Sequence, residues 1–115
     1  MAYALSHWCW KSSGGDPLAA SIATTNFAIE GVTGEWSTFV CSSDTYANSF
    51  SAAMRRKAMR WLSLHAHYDD AHPWEALEIV ATLLGNAPGV DEVQAVKHSI
   101  QMSYECFKMR LDCCL

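Results

Sequence analysis

The side chains best suited to chemistry lie together in His65-Ala66-His67-Tyr68-Asp69-Asp70-Ala71-His72, three imidazoles and two carboxylates within eight residues. Imidazole nitrogen and carboxylate oxygen are ligands for zinc and iron. On a continuous helix, residues two apart point about 200° apart, so His65 and His67 cannot share one ion there. A turn that gathers His67, Asp69 and His72 can, and these three are the candidate metal ligands, for Zn or Fe. The spacing is not H-E-x-x-H, nor a His-Asp pair with a distant acid. The main reading therefore carries no cofactor. It makes His65 a core or rim histidine, has Asp69 or Asp70 cap the next helix, and leaves His67 and His72 solvated. A metal-binding protein or metal-dependent enzyme built on this segment is the alternative.

Charge is the second feature. The chain has 115 residues, 8 Lys and Arg, and 12 Asp and Glu. Four of the 8 basic residues (Arg55, Arg56, Lys57 and Arg60) fall within one stretch, and no acid occurs from Thr45 to Tyr68. From Trp61 to Glu92 the pattern inverts: Asp69, Asp70, Glu75, Glu78, Asp91 and Glu92 appear with no Lys or Arg. On a helix, Arg56, Lys57 and Arg60 share a solvent-facing side at about 100° per residue. Glu75 and Glu78 are three apart and share another. Charge segregated along the chain implies charge segregated on the surface. Arg56, Lys57 and Arg60, with Asp69, Asp70, Glu75 and Glu78, are the candidate partner-binding residues.

No catalytic constellation is present. There is no G-x-S-x-G, no P-loop and no C-x-x-C among the five cysteines. Net charge is −4, so nucleic acid is disfavoured as a direct ligand, since phosphate neutralisation needs surplus Lys and Arg. No run is long enough to span a membrane. The N-terminus has neither the basic nor the apolar stretch of a signal peptide. Reduced thiols and a cytoplasmic location are expected.

The elements that must hold these residues read in two halves. Residues 1–42 are rich in Ser, Thr, Gly and aromatics. Thr24–Ile29 and Trp36–Cys41 flank Gly31-Val32-Thr33-Gly34, the pattern of a β-hairpin, and residues 3–10 alternate as a third strand would. Asp16-Pro17 suits a helix start instead, which keeps an all-α fold as the alternative. Residues 43–115 read as helices. Ser43 or Asp44 caps the first, with Phe50, Met54, Ala58, Trp61 and His65 as its stripe. The second buries Trp74, Leu77, Ala81 and Leu84 and ends at Gly85. The third starts at a capping box of Asp91 and Gln94 and carries a seam of Val93, Val96, Ile100, Tyr104, Phe107, Leu111 and Cys114.

These readings predict a single α+β domain over 1–115, with an N-terminal two- or three-stranded antiparallel sheet packed on a C-terminal three-helix bundle. No motif carries a family resemblance. The function expected is a small non-enzymatic protein that binds another macromolecule. The type is a protein inhibitor or adaptor of nucleic-acid machinery, of the antitoxin, immunity or phage anti-defence kind. The expected partner is a protein, with a homodimer next. A homodimeric regulator touching phosphates through Arg56, Lys57 and Arg60 is a further alternative.

Overall fold

Thr24 and Thr25, which suggest a strand in the first 42 residues, lie inside a helix, where their hydroxyls are satisfied locally. Thr24 Oγ1 donates to the Ala20 carbonyl and Thr25 Oγ1 to that of Ser21, each at 3.0 Å and one turn back. Such back-bonding lets a helix carry residues that otherwise favour strands and turns. The computed structural model describes residues 3–68 and 71–112, and these contain helices and short connections but no strand. The α+β expectation with its N-terminal sheet is therefore corrected to an all-α fold.

The elements are α1 (Tyr3–Gly15), α2 (Leu18–Ile22), a π-helical segment (Ala23–Ile29), α3 (Glu30–Cys41), α4 (Asp44–Asn48), α5 (Ala52–Tyr68), α6 (His72–Leu84) and α7 (Val90–Asp112). α2, the π segment and α3 follow one another without a break. At the end of the π segment the Glu30 N–H reaches the Thr25 carbonyl, five residues back. This widening coincides with the two threonines whose hydroxyls bond to Ala20 and Ser21. Gly31 and Gly34, read as a hairpin loop, stand within α3, and Gly34 is buried.

Small residues make up much of the core. Ala20, Ala23, Val80 and Val96 form its apolar centre. Ser12, Thr24, Ser37, Ser99 and Ser103 are also buried. Interaxial separation depends on the side chains at the contact, so small residues bring these helices close. The hydroxyls then pair across them. Ser12 Oγ donates to Thr24 Oγ1 at 3.0 Å, joining α1 to the π segment. Trp8 Nε1 donates to Ser103 Oγ at 3.0 Å, joining α1 to α7. Ser103 Oγ in turn donates to the Ser99 carbonyl at 2.7 Å. Trp8 is the large side chain of this seam, with His98 edge-on at 6.2 Å and the Lys11 ammonium 4.9 Å above its ring.

Helix phases differ from the hydropathy reading. α6 buries Pro73, Ala76 and Val80; Trp74 and Ala81 point outward. α7 buries Val96, Ser99, Ser103, Cys106 and Phe107, so its seam runs through serines, and Tyr104 is exposed. The expected Cys114 lies outside the described residues. On α5 Leu62 is buried, while Met54 and Trp61 are exposed.

Helix ends follow local chemistry. Ser43 Oγ caps α4 through the Thr45 N–H, but the helix stops and α5 begins afresh at Ala52. Ala71 stands at the N-cap of α6 without a side-chain cap; the expected caps Asp69 and Asp70 lie outside the described residues. Glu92 Oε2 accepts the Gly89 N–H at 2.8 Å, replacing the expected Asp91–Gln94 box. Gly85 ends α6 at φ 71°, as read, in a backbone region that favours glycine.

α5 packs on α3 and α4 and projects from the bundle. The molecule measures 54 × 29 × 20 Å with a radius of gyration of 16.3 Å, against about 13 Å for a compact chain of this length. No described helix is long and apolar enough to cross a membrane.

The seam makes a stability test. Thr24→Val keeps the shape but strands the Ser12 hydroxyl, and is expected to cost about 1–3 kcal/mol in urea unfolding. Ser37 Oγ is buried without a partner. Ser37→Ala is therefore expected to be neutral or stabilising. Equal losses in both variants would contradict the hydroxyl pairing.

Candidate binding site at the start of α6

A close helix contact builds this site. Gly31, first turn of α3, faces Pro73, first turn of α6. A Cβ at Gly31 would lie 3.5 Å from both Cβ and Cγ of Pro73, so the α3 backbone meets the proline ring with no side chain between them. Beside this contact Trp74 meets Phe27 edge-on, with centroids 6.3 Å apart. The neighbours of Pro73 in sequence fall to either side.

On one side is a crevice of about 270 Å³, lined by Ile22, Asn26, Glu30, His72, Glu75, Ala76 and Ile79. His72 Nδ1 lies 3.9 Å from Glu30 Oε2. Asn26 Nδ2 donates to Glu30 Oε1 at 3.3 Å, so one carboxylate is held from the π segment and approached from α6. Two carboxylates, one imidazole and no lysine or arginine line the crevice, which suits a cation.

On the other side is an open groove of about 650 Å³. Phe27, Phe39, Trp74 and Tyr104 supply aromatic faces, Val32 and Pro73 apolar walls, and Glu35 and Thr38 the polar groups. Small-molecule sites are typically about 300–1,000 Å³, mostly apolar with a few convergent polar groups. Aromatic rings with a single carboxylate and no basic lining suit a flat, electron-poor or positively charged ring.

The candidates named from sequence distribute as follows. Arg56, Lys57 and Arg60 are exposed on α5. Arg56, Arg60, Ser63, Leu64 and His67 surround a shallow depression, and among the described residues no carboxylate pairs with the three bases. His72 and Glu75 meet in the crevice; Glu78 is exposed on α6. Asp69 and Asp70 lie outside the described residues. Among the described residues no three His, Cys, Asp or Glu side chains are grouped closely enough to hold a metal ion. Sequence reading missed Glu30, Glu35 and Phe27. Their segment reads as strand and loop, and the residues that complete the site lie some 40 positions further on.

Cys9, Cys41 and Cys106 are free thiols. Burial pushes both Cys9 and Cys106 above the usual thiol value, and Cys106 adds to the effect at Cys9. Both stay protonated at neutral pH and are poor nucleophiles.

No family model matches the chain, and no curated protein matches it. It is similar in structure to a TenA homolog from Pseudomonas syringae pv. tomato str. DC3000, with a TM-score of 0.79 and 51% sequence identity. The match covers 96% of this chain and 47% of that one, so the chain spans about half the length of the solved relative. This likeness overturns the expected inhibitor or adaptor of the antitoxin, immunity or phage anti-defence type. That reading rested on a short, acidic, charge-segregated profile, which a helical protein of a different kind shares.

Two outcomes follow. Gly31→Ala makes only ordinary van der Waals contact with Pro73 and is expected to leave stability unchanged or raise it by about 1 kcal/mol. Gly31→Phe forces α3 from α6 and is expected to cost about 1–3 kcal/mol by urea unfolding. For the thiols, raised folded values mean that stability is fully present below the unfolded thiol value of 9.0. It is lost as pH rises through the folded values. Alkylation of native Cys9 and Cys106 should therefore lag that of unfolded protein at pH 9; equal rates would contradict their burial.

Proposed function

We propose that this chain is a module of a TenA-like protein that binds a small aromatic molecule in the groove between α3, the start of α6 and α7. The observation that carries the reading is the 51% identity to a TenA homolog over 96% of the chain. The groove supports it: its size suits a small ligand, and its aromatic side chains offer stacking surfaces beside the Glu35 carboxylate. The TenA likeness makes thiamine-related compounds the first class to test. The whole relative's activity, and with it any catalysis by this chain, is part of the proposal.

In this reading Phe27 and Trp74 hold the ring. Their edge-on contact leaves Trp74 exposed and available to stack. Glu35 balances positive charge on the ligand, and Thr38 adds a hydroxyl one turn away.

The test is a fluorescence titration with thiamine and related heteroaromatic compounds. Saturable quenching is expected, weakened at least tenfold by Trp74→Ala, with Glu35→Gln lowering the preference for cationic members. If no compound of the class perturbs the tryptophans, or if Trp74→Ala leaves the affinity unchanged, the groove is not the binding site.

A further inference from the structure

α5 turns one face away from the rest of the molecule. Leu62 is buried, and the opposite side of the helix carries Arg56, Arg60, Ser63, Leu64 and His67, all exposed. At 100° per residue these five fall within about 100° of arc. Together they surround a depression of about 390 Å³. Lys57 lies just beyond one edge of the stripe. Arg55 is turned aside, with its Nε donating to the Ala47 carbonyl at 3.0 Å.

Arg56 and Arg60 are one turn apart. Like charges at that spacing repel, and nothing in the helix offsets them, since no acid occurs from Thr45 to Tyr68. Among the described residues no carboxylate of another element pairs with either one. Ser63 follows Arg60 by three positions, and its hydroxyl makes no bond to another described residue. An anion from outside relieves the repulsion and gives all three groups a partner.

The donors suit a phosphate. Guanidinium groups carry several N–H donors and no acceptor, and a dianionic phosphate accepts from more than one of them at once. The stripe from Arg56 to His67 is about 16 Å long at 1.5 Å per residue, more than a phosphate group alone covers. Its second half offers the Leu64 side chain, 54% exposed, and the flat His67 ring. Nucleic acid fits this surface less well. The chain carries a net charge of −4, and Glu75 and Glu78 are exposed on the helix that follows, where they repel a longer phosphate backbone.

We propose that the outer face of α5 binds a small phosphate monoester. The phosphate sits between Arg56, Arg60 and Ser63, and the organic part lies over Leu64 and His67. This site shares no lining residue with the aromatic groove and does not depend on what the groove binds.

Phenyl phosphate is the probe, titrated at low salt and followed by NMR of the arginine Nε–H groups and the backbone amides. Saturable shifts are expected at Arg56, Arg60 and Ser63. Affinity should fall at least tenfold in the Arg56→Gln/Arg60→Gln double variant and at least threefold in Leu64→Ser. These are changes at exposed positions, which leave folding intact. Lys97→Gln, at an exposed base on α7, should leave the affinity unchanged. So should Trp74→Ala, which separates this site from the groove. Benzoate carries the same ring with a single charge and should bind at least tenfold more weakly than phenyl phosphate. Shifts that do not saturate, or an affinity that the arginine pair does not alter, would overturn the proposal. Benzoate binding as tightly would also overturn it, by making a carboxylate-bearing partner the occupant. A short single-stranded oligonucleotide binding more tightly at the same residues would do so in favour of nucleic acid.

Discussion

The fold depends on close approach between helices that meet through small residues. Where α1, the π segment and α7 come together, many of the buried side chains are Ala, Ser and Thr, with Trp8 the large one among them. Their hydroxyls cannot be left unmade in such a place, because a buried donor without a partner costs more than a made hydrogen bond gains. The pairs Ser12–Thr24 and Trp8–Ser103 therefore decide which helices sit together and in what register. A core of large aliphatic side chains would gain more from burial but would hold the helices further apart.

The site is downstream of that constraint. The Thr24 hydroxyl bonds across to Ser12 and back to Ala20, at the point where the helix widens into its π turn. Such widened turns are rare and concentrate at functional sites. Here the widening ends at Glu30, and Gly31 follows it directly. The carboxylate is thereby aimed at His72 while the glycine admits Pro73. One contact thus separates the Glu30–His72 crevice from an aromatic groove, and a change in the seam should be felt in both.

What could be read from sequence was decided by how polar the buried residues are. The final helices were legible because Val96, Ile100 and Phe107 recur at helical spacing, and the end of α6 because Gly85 stands where a left-handed residue is needed. The basic turn on α5 was legible as an exposed face because Arg56, Lys57 and Arg60 fall on one side of a helix at 100° per residue. The first half was misread because Thr24, Thr25 and the aromatics have strand-forming character, and satisfaction of their hydroxyls within a helix leaves no mark on hydropathy. Gly31 and Gly34 have loop-forming composition, whereas in the fold Gly31 admits the Pro73 ring. On α7 the serines at 99 and 103 carry the buried seam, so a purely apolar count rotates the helix. Of the site, His72 and Glu75 were singled out from their own segment. Glu30 was invisible because its relation to them exists only in the folded chain.

Native-state hydrogen exchange followed residue by residue tests the central claim most directly, since it reports which helices open only with the whole molecule. If the small-residue seam holds the fold, amides of the π segment and of α7 around Ser99 and Ser103 should exchange only through global unfolding. Those of α5 should exchange earlier, through local opening. The contrary result, slowest exchange in α5 and α3 with early opening of α1 and the π segment, would place the stabilising core elsewhere and contradict the account.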